Sequence, residues 1–258
     1  MEHKLTEDQK NFYDENGYVV LEKVFTDSEA EKFNRFIRRH ANTSFAALIN
    51  PDRYDSLLEQ DERPKSDITL KEIQETSEMA RSIMTDKRML NLLNFFHEKK
   101  TVGLSSQFIF KEAYSDYCSQ AWKPHQDNFY PKSKNSAYIT LNWFLRDADR
   151  DNGTIYCYPG SHKLGLLPAK NSVSFREKIG ENPGSECEIP KKFINKKIDI
   201  IIPGNSIVVL NGNCIHGSYP NNSNRSRPWF SSCYITENEE FIVGNNSKRE
   251  KIYFEKIN

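Results

Sequence analysis

The chain has 258 residues, which is room for one large domain or two small ones. Its 36 basic and 36 acidic residues cancel, so no charge excess points to nucleic acid or to a membrane surface. No apolar run is long enough to span a bilayer, and Met1-Glu2-His3-Lys4 opens on charge rather than on a signal-peptide core. The five cysteines (118, 157, 187, 214 and 233) are odd in number and lack CxxC spacing, which reads as reduced thiols in a cytoplasmic protein. Aromatic residues, 16 Phe, 12 Tyr and 3 Trp, are numerous enough to fill a core or line a pocket.

Thr6-Glu7-Asp8-Gln9 has the spacing of a capping box and predicts a short helix that stops at Asn16-Gly17. A β-rich run, Tyr18 to Leu21, follows. Thr26-Asp27-Ser28-Glu29 is a second capping box, whose helix carries Ala30, Phe33, Phe36 and Ile37 on one side and ends near His40. Residues 41–67 read as loop and 68–82 as weakly helical. A stronger helix is expected from Thr85 to Lys99, with Met89, Leu92, Leu93 and Phe96 on one face.

After residue 100 the texture becomes that of strands. Leu104 to Phe110, Ala137 to Leu145, Thr154 to Tyr158, Ile198 to Ile202, Ser206 to Leu210 and Trp229 to Ile235 are the expected set. Asp151-Asn152-Gly153, Pro159-Gly160, Pro203-Gly204 and Pro220-Asn221-Asn222 are turns between them. Residues 164–192 are polar and irregular, too long for a simple connection, and are a lid candidate. Helices first and many short strands later predict a mainly β fold, a jelly roll with flanking helices.

Three residues stand out for chemistry. His125 and Asp127 are two apart, so on a strand they point to one face and reach one metal. A third ligand must come from elsewhere in the chain, and His216, after the apolar run Ile207–Leu210, is the candidate. Two imidazoles and one carboxylate leave open positions on the far side of a metal, which suits non-haem Fe(II) oxygen chemistry. His125-x-Asp127 alone is weak, because chance supplies about 0.8 such pairs in this composition. A hairpin from His216 to Arg227 is expected to set the two on neighbouring strands, with the guanidinium placed to grip a carboxylate.

The ordered series His125-Gln126-Asp127, Asn152-Gly153-Thr154, Pro159-Gly160-Ser161-His162-Lys163, Pro203-Gly204 and His216-Gly217-Ser218 with Arg227 resembles the phytanoyl-CoA dioxygenase (PhyH) family. The opening, Leu5-Thr6-Glu7-Asp8-Gln9 through Gly17-Tyr18-Val19-Val20-Leu21 to Phe25-Thr26-Asp27-Ser28-Glu29, is similar to that family too. The resemblance spans residues 5 to 236.

It implies a single domain over residues 1–258, with a helical part to about 100, a cupin-like double-stranded β-helix over about 101–236 and a C-terminal arm from 237. It implies Fe(II), 2-oxoglutarate and O2, with His125, Asp127 and His216 as iron ligands. Arg227 then anchors the distal carboxylate of 2-oxoglutarate, Ser218 assists it, and Trp143 lines the co-substrate pocket. Gln107 and Lys111, on one face of one strand, are placed to contact the site. Where family members often carry Lys-Pro-Pro-Gly, this chain has Lys111-Glu112-Ala113-Tyr114, so that loop is its own.

The implied reaction is hydroxylation of a small molecule with release of succinate and CO2. An Asp at 127 favours oxygenation over halogenation. Desaturation, cyclisation or epimerisation at the same iron stays open, as does a metal-binding jelly roll without catalysis. His162 reads as structural, Cys157 and Cys214 as inert buried thiols, and Lys123, Lys132, Lys134 and Arg146 as ordinary surface charge.

Overall fold

A computed structural model describes residues 4–40, 77–97, 99–111, 113, 121–133, 135, 138–173, 184–239 and 251–254. The expected loop over 41–67 lies outside them, as do residues 68–76, Cys118 and Lys134.

Both capping boxes form. Helix α1, Glu7–Asn16, begins where the Thr6 hydroxyl accepts from the Gln9 amide and the Gln9 side chain accepts from the Thr6 amide. It ends at Gly17, whose φ of 82° is the left-handed conformation a glycine adopts without penalty. At Thr26 the same exchange with Glu29 starts α2, Asp27–His40. Helices α3, Glu78–Met84, and α4, Lys87–His97, follow, and Met89, Leu92, Leu93 and Phe96 of α4 are buried together as expected. Arg88 joins the helices, pairing with Glu29 and Asp86 while its guanidinium lies 4.0 Å from the Phe25 ring centroid.

Eleven strands are described: β1 Tyr18–Glu22, β2 Thr101–Lys111, β3 Trp122–His125, β4 Ile139–Phe144, β5 Ile155–Cys157, β6 Ala169–Val173, β7 Gly184–Cys187, β8 Ile198–Asp199, β9 Ser206–Asn211, β10 His216–Ser218 and β11 Arg227–Thr236. A five-stranded sheet has the order β1-β9-β4-β11-β2, and a four-stranded sheet the order β3-β10-β5-β8. All the pairings are antiparallel. Phe144, Val208, Leu210 and Trp229 of the first sheet pack with Ile155 and Cys157 of the second, so the two sheets enclose one core in the jelly-roll manner.

The helices cover the other face of the large sheet. Ile139, Leu141, Trp143, Ile207, Val209 and Phe230 meet Phe25, Phe33, Met89 and Leu93 there. Burial parity along β4 follows from its pleat: 139, 141 and 143 face the helices, while 140, 142 and 144 face inward.

Three expectations change. The stretch 164–192 is not irregular throughout: β6 and β7 pair as an antiparallel ladder, and Lys191–Lys196 form a 3-10 helix. The chain does not lay His216 and Arg227 on neighbouring strands, because β10 belongs to the small sheet and β11 to the large one. The connection crosses between sheets, so the two residues face each other across the core. Asp127 is not on the strand of His125: β3 stops at His125, and Asp127 opens a 3-10 turn, Asp127–Phe129.

Candidate metal centre

His125 lies at the end of β3 and His216 at the start of β10, and the two are direct cross-strand partners. Their ring centroids are 4.3 Å apart. Nδ1 of His125 is 2.7 Å from the Lys123 carbonyl, and Nδ1 of His216 is 3.0 Å from the Cys214 carbonyl. Each bond places the proton on Nδ1 and leaves Nε2 as a lone-pair donor aimed at the same point. The turn after His125 brings Asp127 Oδ1 to 3.5 Å from His125 Nε2 and 3.6 Å from His216 Nε2. The three side chains offer ligand atoms that all lie within 4.8 Å of one another. That spacing and donor set fit one divalent transition metal bound on one side.

Protonation states suit the same purpose. Burial pushes the His216 imidazole down to about 4, against the opposing pull of Asp127, so it is neutral at physiological pH. Burial alone would raise the Asp127 carboxyl. The positive charge that His216 and His125 take on when protonated, with a hydrogen bond from Thr140, outweighs it and holds the group below its ordinary value. Thr140 Oγ1 donates to Asp127 Oδ2 at 3.4 Å, and Asn142 Nδ2 donates to Thr140 Oγ1 at 3.1 Å.

Opposite the triad lies a concentration of buried cations. Arg227 and Lys111 are direct cross-strand partners of β11 and β2, and both are fully buried. The Lys111 ammonium donates to the Ser218 hydroxyl at 2.9 Å and to the Tyr219 carbonyl, both neutral acceptors. Desolvation, then Arg227, push its pKa well below the ordinary lysine value. Two cations side by side in a dry interior repel and are costly to desolvate. A carboxylate ligand there relieves both terms, which is the fit expected of a keto diacid. Gln107 pairs with Ser231 on the face that carries Lys111 and Arg227, and Ser218 is buried on β10.

Trp143 is the exception among the sequence-derived positions. Its indole stacks against Phe25 at 4.2 Å and Phe33 at 5.1 Å, and its Nε1 donates to Asn205. It faces the helices, on the side of β4 opposite to Thr140, which bonds Asp127. The alternation Ile139, Leu141, Trp143 against Thr140, Asn142 carried that signal, since the polar parity is the one that faces the site.

His162 is structural, as read: its Nε2 lies 3.2 Å from the Asp14 carbonyl, and its ring packs on Gly17, where a Cβ would collide with it. Gln126, between two ligands, had no signal of its own. It is buried, donates to the Gly165 and Asn213 carbonyls and accepts from the Leu167 amide. It thereby ties the ligand turn both to the approach to His216 and to the start of the lid candidate. Lys123 adds an ion pair to Glu186 of β7 at 3.3 Å. The cysteines at 157, 187, 214 and 233 are buried thiols, and among the described residues no helix is long and apolar enough to cross a membrane.

The fold recurs in solved structures. The epimerase SnoN from nogalamycin biosynthesis, in complex with Fe3+, alpha ketoglutarate and nogalamycin RO, superposes with a TM-score of 0.69 at 18% identity, covering 95% of this chain and 94% of that one. EvdO2 from Micromonospora carbonacea, complexed with 2-oxoglutarate, gives 0.69 at 13%, covering 95% and 96%. By sequence, the peroxisomal phytanoyl-CoA dioxygenase of Bos taurus is 23% identical over 252 residues, 96% of this chain and 74% of that protein. The family model for phytanoyl-CoA dioxygenase (PhyH) matches residues 13–229, most of the chain and every residue of the triad, and the protein belongs to that family.

Proposed function

We propose that this protein is a non-haem Fe(II)- and 2-oxoglutarate-dependent oxygenase that hydroxylates a small molecule. The observation that carries the reading is the convergence of His125, Asp127 and His216 at one point, with buried Arg227 and Lys111 on the facing sheet. Iron with 2-oxoglutarate and O2 supplies the oxidising equivalents, and succinate and CO2 leave. The chain's own residues do the rest. His125, Asp127 and His216 hold the metal through one side and leave the other open. Arg227, with Ser218 and Lys111, binds and neutralises the keto diacid, and Gln107 borders it. A metal-binding scaffold has no use for two buried cations, which is why the catalytic reading is preferred.

The inward face near β3 and the 3-10 turn, with Phe129 and Tyr130, is the substrate side in this reading, and the β6–β7 hairpin is its cover. The chain works as one domain over residues 1–258, and its buried thiols suit a reducing, cytoplasmic setting. The test is release of succinate from 2-oxoglutarate by the iron-loaded protein, across a substrate panel read by product mass. A mass gain of one oxygen supports hydroxylation. A loss of two hydrogens or an unchanged mass with altered retention moves the outcome to desaturation, cyclisation or epimerisation. No succinate above the metal-free control, for any substrate, overturns the reading.

A further inference from the structure

The large sheet carries, beside Arg227, a buried donor that has no acceptor among the described residues. Trp229 lies two residues further along β11, on the same inward face. It is 6% exposed, and its ring centroid lies 4.1 Å from the Arg227 guanidinium carbon and 4.7 Å from the Phe144 ring. Held between the two, the indole has no freedom to seek a partner. Its Nε1 proton is buried, and among the described residues nothing accepts it. Buried donors without an acceptor are rare in native proteins because the lost hydration is not returned. The contrast is internal: Trp143, which is fully buried, gives its proton to Asn205.

We propose that Trp229 is a co-substrate-binding residue, stacking on Arg227 to set the plane of its guanidinium and donating its indole N–H to the carboxylate that Arg227 holds. A carboxylate has two oxygens and about four lone-pair sites, so a bidentate guanidinium leaves acceptor capacity for a third donor. With the guanidinium carbon 4.1 Å from the ring centroid, an anion held by Arg227 lies beside the indole. The inference rests on the co-substrate reading above and adds a residue to it. A phenylalanine at 229 would keep the aromatic face and lose the donor.

The test is direct binding, with redox-inert zinc(II) in place of iron. Calorimetry should find 2-oxoglutarate bound about tenfold more weakly by Trp229→Phe, the loss expected for one hydrogen bond to a charged acceptor. Trp229→Leu, which also removes the stack, should lose more. Zinc affinity should be unchanged in both. In the wild-type protein, the indole 15N–1H resonance of Trp229 should move downfield as 2-oxoglutarate is added. It is assigned by elimination from Trp122→Phe and Trp143→Phe, so this readout survives even if a 229 variant fails to fold. Wild-type affinity in Trp229→Phe, or a Trp229 resonance that does not move, overturns the proposal. Wild-type protein that binds no 2-oxoglutarate overturns the co-substrate reading itself, and this proposal with it.

Discussion

His125 and His216 face each other across the β3–β10 ladder, and each spends its Nδ1 on the backbone carbonyl two residues before it in the chain. This shared device turns both Nε2 atoms toward one point. Without it each ring would be free to flip, and the site would offer a mixture of tautomers.

Asp127 supplies the negative ligand in that arrangement. Asp127→Ala leaves two imidazoles, and succinate release should fall to the metal-free background. Asp127→Asn keeps the shape but loses the charge, and its Fe(II) affinity should lie between those of Asp127→Ala and wild type. Calorimetric titration with Fe(II) under anaerobic conditions checks both.

Arg227 and Arg225 make a matched pair for testing the anchor. Arg227 is fully buried, whereas Arg225 reaches the surface and pairs with Asp149 at 2.7 Å. Breaking a buried charge pair costs on the order of 2–5 kcal/mol, roughly 30-fold to several thousand-fold in affinity. Arg227→Ala should therefore weaken 2-oxoglutarate binding at least tens of fold with Fe(II) binding nearly intact. Arg227→Lys should be intermediate, because an ammonium keeps the charge and loses the planar fork. Arg225→Ala should match wild type in the same titration.

Trp143 should behave as a core residue. Trp143→Ala opens a cavity between Phe25 and Phe33 and strands the Asn205 side-chain oxygen Oδ1, which should cost about 3–5 kcal/mol of stability. Trp143→Phe should cost less and leave 2-oxoglutarate affinity unchanged. Urea unfolding and co-substrate titration of the same samples separate the two effects.

Gln126 predicts a local effect on the lid candidate. Gln126→Ala removes the acceptor of the Leu167 amide and the donor to Gly165. Hydrogen exchange at Leu167 should speed up while the amides of β4 and β9 keep their protection. Equal exchange at Leu167 in both proteins would detach Gln126 from this segment.

The Glu29–Arg88 pair sets an acid limit. Hydrogen bonding from Arg88 lowers the Glu29 carboxyl from its ordinary 4.5 to about 2, despite burial. A depressed acid contributes its stability in full above the unfolded-state value and loses it as the pH falls through the folded-state value. The contribution is therefore present above pH 4.5 and fades toward pH 2. Its size is modest, since the Glu29 side chain is 41% exposed and solvent screens the pair. Arg88→Met should lower the melting temperature at pH 6 and narrow its gap to wild type as the pH approaches 2.

Much of this protein is legible from local chemistry. Thr6 with Gln9 and Thr26 with Glu29 announce two helix starts because a cap is made within four residues. The apolar stripe of α4 shows its buried face, and Gly17 marks a helix end because few other residues adopt its backbone. The triad was legible through the motif series, which places its residues in order along the chain. What only the tertiary structure decided depends on pairing between distant strands. Whether β10 and β11 share a sheet is a matter of long-range register, and a turn sequence between them does not encode it. The resemblance set Lys111 near the site, but that β11 lays Arg227 directly beside it and that both are sealed from water depends on strand pairing. Trp143 and Trp229 are the same residue type in β strands, yet a strand's pleat sends one to the helices and the other between the sheets, beside Arg227. That parity is set by which face each sheet buries against which layer, a property of the assembled core and not of either residue.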